Sequence, residues 1–180
     1  MTQTTGGNQP TWSSGQINGL PALGLNGSSQ ELARVGGITY SGNISIYIVW
    51  KATSVSGNAA FTSNTLNGGT GFEYRINNSG KQEALKQNTA SIGTSTTTLS
   101  SGTWYETAVT YDGTSASFYL NGTADGTATS AQTITVGIDT LFSNGNTGEF
   151  FPGQVAEILI YNSSSYQTAV HTYYMGRYGI

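Results

Sequence analysis

Residues 103–122, TWYETAVTYDGTSASFYLNG, constrain the fold of this chain more than any other stretch. Two runs of strand-forming residues, 104–111 and 115–121, flank Asp112-Gly113-Thr114, a turn signal that supplies the positive φ a tight connection needs. The pattern predicts a β-hairpin. In its second arm Ala116, Phe118 and Leu120 alternate with Ser115, Ser117, Tyr119 and Asn121, so one face is apolar and the other polar, as in a half-buried sandwich strand. Asn121-Gly122 closes that arm with another turn, which implies three successive strands and an antiparallel all-β domain.

Residues 43–53, NISIYIVWKAT, form the strongest single strand, with Ile44, Ile46, Ile48 and Trp50 on one face and Ser45, Tyr47, Val49 and Lys51 on the other. Substantial side chains on both faces predict a central position. Residues 72–77 turn at Asn78-Ser79-Gly80 into 81–87, a second hairpin. Further strands are expected within 16–26, 30–35, 59–63, 90–99, 132–138 and 154–162. Pro21 suits a strand beginning or sheet edge, and Gly36-Gly37 reads as a break. Residues 1–15, 67–71 and 139–153 read as loops. One helix is expected over 165–176, capped by Ser164 with Gln167 three residues on, and docking through Ala169, Val170, Tyr173 and Tyr174.

Only 8% of residues are charged, while 36% are hydrophobic and 11% aromatic, and Gly alone contributes 25. Alternation at this aromatic content argues for a folded domain over disorder, and a length of 180 residues suits a single domain spanning 1–180. Six Lys and Arg residues against nine Asp and Glu give a net charge of -3, no electrostatic footprint for nucleic acid. No apolar run approaches the roughly 20 residues of a membrane helix, so no membrane insertion is expected. With no cysteine there is no disulfide framework and no thiolate metal site.

The segment 153–180, GQVAEILIYNSSSYQTAVHTYYMGRYGI, carries a glycine, a strand with Ala-Glu-Ile ending in Tyr-Asn, a capped helix and a final Tyr-Gly-Ile. With the Thr-Tyr-Asp-Gly turn and Asn-Gly close of the central hairpin, and Asn18-Gly19, Pro21-Ala22-Leu23 and Asn26-Gly27-Ser28 in order, it resembles the laminin G-like domains of the concanavalin A-like lectin/glucanase superfamily. The resemblance implies a jelly-roll β-sandwich of two antiparallel sheets with one short C-terminal helix. It also implies one domain of a larger protein, because the family's preceding Trp, Asp and Ser-Gly-Asn-Gly segment is absent. Gln154 stands where the family pattern has Asp, which removes an acidic group from a metal site or charge pair.

Function is read from the residues that could form a site. The hydrolases of the superfamily carry Glu-x-Asp-x-x-Glu, and here no two acids stand two apart, so the expectation is not an enzyme. His171, the only histidine, falls in the expected helix, which leaves no His-based triad. Glu157 reads either as a sugar or metal ligand or as the partner of Arg177 or Arg34. Asp112 and Asp125 read as turn residues. No cofactor is required; calcium is the candidate metal, with Asp139, Asn144, Asn146 and Glu149 gathered in one loop. Tyr47, Arg75, Tyr119 and Asn121 occupy polar-side positions of their strands and are the candidate glycan-binding set, against the alternative of ordinary surface residues. Trp50 and Trp104 are expected in core or inter-sheet packing and Trp12 at the surface. The expected function is a surface-recognition module for a glycan or host-surface polysaccharide, on a phage virion or bacterial surface. Its alternatives are a structural domain that pairs with itself or with virion proteins, and a glycan-cleaving enzyme.

Overall fold

Alternating apolar and polar residues fold into thirteen strands and one α-helix, with one short 3-10 turn at Gly6–Asn8, among the described residues of the computed structural model: 1–38, 42–64, 71–86, 90–132, 134, 137–145 and 148–180, with the side chains of 34–37 excepted. In chain order the strands are β1 (Thr11–Ile17), β2 (Leu20–Asn26), β3 (Leu32–Ile38), β4 (Ile44–Ala52), β5 (Ala59–Ser63), β6 (Phe72–Ile76) and β7 (Gln82–Lys86). They continue as β8 (Ala90–Thr94), β9 (Tyr105–Tyr111), β10 (Ser115–Leu120), β11 (Thr123–Thr129), β12 (Ile138–Leu141) and β13 (Pro152–Tyr161), and the helix is α1 (Gln167–Tyr178). One sheet runs β1-β2-β13-β4-β9-β10-β11 and the other β3-β12-β5-β6-β7-β8, every pairing antiparallel. Packed face to face, they form a jelly-roll sandwich.

The core lies between the sheets. From β4 come Ile44, Ile46, Ile48 and Trp50, and from the facing sheet Phe61, Phe72, Tyr74 and Ile76, all buried. Trp50 meets Phe61 at 5.3 Å and Phe151 at 5.7 Å between ring centroids, and its Nε1 donates to Thr107 Oγ1 at 2.9 Å. The central hairpin forms as read, β9 and β10 in register from Tyr111↔Ala116 to Thr107↔Leu120, and β11 is the implied third strand. β4 is central, between β13 and β9, and is buried along its length apart from half-buried Lys51.

A second cluster forms on the outer face of the seven-stranded sheet, where Tyr47, Val49, Ala108 and Ile17 meet Val170, Tyr174 and Tyr178 of α1. Several polar contacts fasten the helix there. Tyr174 Oη donates to Tyr47 O, Gln167 Nε2 to Gly122 O, and His171 Nδ1 meets Glu106 Oε2 at 2.5 Å. No helix among the described residues is long and apolar enough to cross a membrane.

Several expectations are corrected. Residues 11–17 are a strand, not a loop, held to β2 by main-chain pairing despite a sequence without alternation. The expected strand 16–26 is divided at Asn18-Gly19, and Pro21 falls at an irregularity of the β1 ladder and outside the β13 ladder, where its missing amide costs no bond. β3 continues through Gly36-Gly37. Strand β8 ends at Thr94, and the expected 132–138 strand survives only as Ile138–Leu141; positions 133, 135 and 136 of it lie outside the described residues. Most of the expected 67–71 loop does too. Helix α1 starts at Gln167 with Tyr166 as N-cap and no capping side chain, and its buried stripe is Val170, Tyr174 and Tyr178, with Tyr173 exposed. It ends at Gly179, whose positive φ and N–H to Met175 O form a C-cap.

Glycine is obligatory at position 153, where β13 pairs with Ala52 of β4: a Cβ there would lie 2.2 Å from Lys51 O and 2.7 Å from Ala52 Cα. Gly153→Ala is expected to lower unfolding free energy by about 2 kcal/mol or more in urea titrations. Gly57→Ala, at an exposed position with nothing within 4 Å, is the control and should stay within about 0.5 kcal/mol of the parent. Equal effects at the two sites would refute the close-approach argument.

Candidate functional site

Helix α1 covers one end of the outer face of the seven-stranded sheet and leaves the other end open. Strand register lines up that open end. Thr11 pairs with Gly24, Gly24 with Gln154, and Gln154 with Lys51, so one row crosses β1, β2, β13 and β4 on a single face. Lys51 Nζ sits over the Trp104 ring, 5.0 Å from its centroid. The row forms the floor of an open groove of about 710 Å³, with Asn26, Gln30 and Thr53 at its rim.

The polar groups of the groove are held in place. Gln154 Nε2 donates to Gln16 Oε1 at 2.5 Å, and Gln30 Oε1 accepts from Asn26 N at 2.8 Å while its Nε2 donates to Gln9 O. Asn26 Oδ1 caps its own turn, accepting from the amides of Ser28, Ser29 and Gln30. At Gly24 a Cβ would come within 2.8 Å of Thr11 Oγ1, so the floor there is bare main chain. Chemically the groove offers amides, hydroxyls and one ammonium, with no carboxylate in its lining.

A second polar cluster lies on the far face of the six-stranded sheet. Arg75 Nε donates to Glu83 Oε2 at 2.8 Å and its Nη1 contacts Glu149 at 3.0 Å and Glu73 at 3.5 Å. Asn58 Nδ2 also binds Glu149, and Asn144 Nδ2 binds Glu73. Glu73 has 0% exposure. Burial, and then the neighbouring Glu149 carboxylate, push its pKa up to about 8 against the opposing pull of Arg75.

The four glycan-binding candidates do not form one site. Tyr47 and Tyr119 share the outer face on either side of Ala108, but Tyr47 is 0% exposed beneath α1 and Tyr119 is half-buried against the same cluster. Tyr47 therefore has no ring face left for a sugar, because an apolar-enough polar face recruited the helix. Asn121 is exposed, with positive φ, and its Oδ1 accepts from Glu106 N. Arg75 lies on the other sheet among its three glutamates. Of the calcium candidates, Asn144 and Glu149 belong to that network, Asp139 is buried beside Thr140, and Asn146 lies outside the described residues. Among the described residues no three His, Asp or Glu groups gather to hold a metal ion.

Other acids have structural partners. Glu157 Oε2 accepts from Tyr178 Oη at 2.7 Å and lies 3.4 Å from Arg177 Nε, so it anchors α1. Asp112 caps its turn through the amides of Thr114 and Ser115, which lower its pKa. Asp125 is not a turn residue: it is buried on β11 and accepts from Thr97 N and Oγ1. Trp12 is 68% exposed as expected, whereas Trp104 is half-buried on the outer face rather than between the sheets. The groove residues Lys51, Gln154 and Gln30 carried a faint sequence signal, polar positions on strands or at a turn, and nothing local aligned them.

Residues 26–171 match the family model described as the concanavalin A-like lectin/glucanases superfamily. The chain belongs to this superfamily. No curated protein sequence matches it. Among solved structures, the concanavalin A-like domain is similar to domain 4 of a GH43 extracellular arabinanase from Geobacillus stearothermophilus in complex with arabinotriose, at 16% identity and TM-score 0.70, over 91% of this chain and 80% of that one. It is also similar to a native heptameric SAP-like pentraxin from Limulus polyphemus, at 13% identity and TM-score 0.65, over 83% and 79%. A third is the CBM40 of the Ruminococcus gnavus IT-sialidase bound to α2,3 sialyllactose, at 16% identity and TM-score 0.59, over 82% and 99%. At these identities the likeness is one of fold.

Glu73 ties the stability of this concanavalin A-like domain to pH. Its folded pKa stands above the ordinary carboxylate value of about 4.5, so the folded state keeps a proton that the unfolded chain releases. That contribution is complete below about pH 4.5 and is lost as pH rises toward about 8. Glu73→Gln fixes the neutral form and should reduce the fall in urea midpoint between about pH 5 and 8, with Glu106, also raised by burial, supplying the residual slope. A variant whose slope is as steep as the parent's would show that Glu73 is ionised in the fold.

Proposed function

We propose that this concanavalin A-like domain is a non-catalytic carbohydrate-binding module, displayed on a virion or bacterial surface, with its glycan site in the groove floored by the Thr11, Gly24, Gln154 and Lys51 row. The observation that carries this reading is the row itself. It sets fixed amide and hydroxyl groups at strand spacing over bare main chain, in an open groove of a size that ligand sites commonly have. Saccharides present hydroxyls that both donate and accept, and amide side chains answer both. Similar folds solved with arabinotriose and sialyllactose support the reading.

The same geometry favours binding over catalysis. Glycoside cleavage needs two carboxyl groups across the scissile bond, and the groove lining has none. The glutamates that do converge, on the opposite sheet, share one guanidinium, and Glu73 is out of solvent. A low charge content and abundant Thr, Ser, Gly and Asn suit a surface setting.

A glycan array that includes bacterial polysaccharides tests this. Selective binding is expected, and Gln154→Ala should weaken it about tenfold while lowering the thermal midpoint by no more than a few degrees, the cost of its bond to Gln16. Binding should persist in chelator, since Glu149 is committed to Arg75 and Asn58. An array without a hit, from a protein that runs as a discrete oligomer, would favour the structural reading instead.

A further inference from the structure

We propose that the groove selects anionic saccharides, with Lys51 as the residue that reads the acidic group of the sugar; this rests on the carbohydrate-binding reading above. Lys51 is placed by its register opposite Gln154, on the floor rather than at the rim, and it is half-buried. The Trp104 ring holds its ammonium from one side, 5.0 Å away. Among the described residues no carboxylate lies within ion-pair distance of it. This contrasts with Arg75, which has three glutamates, and Arg177, which has Glu157.

The nearest carboxylates on the outer face, Glu106 and Glu157, flank Val49 and are held by other partners, Glu106 by His171 and Glu157 by Tyr178 and Arg177. The groove is lined by neutral side chains, and Glu31, next in sequence to Gln30 of the rim, is turned away to accept from Ser143 Oγ of the facing sheet's loop. A partly desolvated cation with no counter-ion gains most from a ligand that brings one. An ammonium is a compact point charge and takes a carboxylate or a sulfate alike, so the shared chemistry is an anionic substituent on a sugar ring flanked by hydroxyls. With a net charge of -3 the domain as a whole repels acidic polymers, so attraction to them must come from a local site.

The test is an array of matched saccharides, oligogalacturonate against its methyl ester and sulfated against unsulfated dextran oligosaccharides, followed by calorimetry on the strongest pair. The acidic member of a pair should bind better, and which acidic series wins separates carboxylate from sulfate. Lys51→Gln should lower the acidic-to-neutral affinity ratio about tenfold, and Lys51→Arg should restore it. A ratio unchanged in Lys51→Gln overturns the proposal. Binding of neutral members alone, weakened by Gln154→Ala, overturns it while leaving the carbohydrate-binding reading intact; no binding by any member sinks both.

Discussion

Trp50 is the contact on which the rest of the structure depends. Its indole spans the two sheets, touching Phe61 of one and Phe151 of the loop that leads into β13, while its N–H is satisfied by Thr107 on the neighbouring strand. Aromatic pairs at these separations add to the apolar area they bury, and the hydrogen bond removes the penalty of a buried donor. Because side chains on a strand alternate, seating Trp50 inward sends Tyr47, Val49 and Lys51 outward. The helix-binding face and the groove floor both follow from that parity.

The outer face is thereby divided between two solvents. Where β4 and β9 offer Tyr47, Val49 and Ala108, α1 covers them; where β4 offers Lys51 and β13 offers Gln154, water remains. Gly122 helps set the boundary, since a Cβ there would strike the His171 ring. A chain with few charges treats them unequally: Arg75 is neutralised inside a dense network, and Lys51 is left beside a ring in an open groove.

What was legible in the sequence was local. The central hairpin, the inward and outward faces of β4 and β10, and the C-terminal helix follow from alternation, turn residues and a run of twelve helical positions. β1 was not legible, because TWSSGQI has no period and is held by main-chain bonds to β2. The capping box at Ser164 was misleading: Tyr166 packs on Tyr161 at 5.0 Å, and the helix begins after it. The stripe took the strict four-residue spacing of Val170, Tyr174 and Tyr178 because those positions meet the sheet, while Tyr173 turns toward Glu157. The parity of Tyr47 and Tyr119 was read as it is, yet parity says nothing of what covers a face; Asn121 lies past the end of β10, in the turn. The groove needed the registers of four strands at once, which no single window of sequence holds.

The place of β13 in its sheet has a consequence for biosynthesis. It is the penultimate element of the chain, yet it lies in the interior of the sheet, bonded to β2 on one side and β4 on the other. A ribosome-bound chain that ends before residue 152 therefore leaves both of those strands with open edges, and the sheet cannot close until β13 has been made. Folding of this domain is in that sense gated by β13: the nascent chain must stay unassociated until that strand arrives to join its two halves.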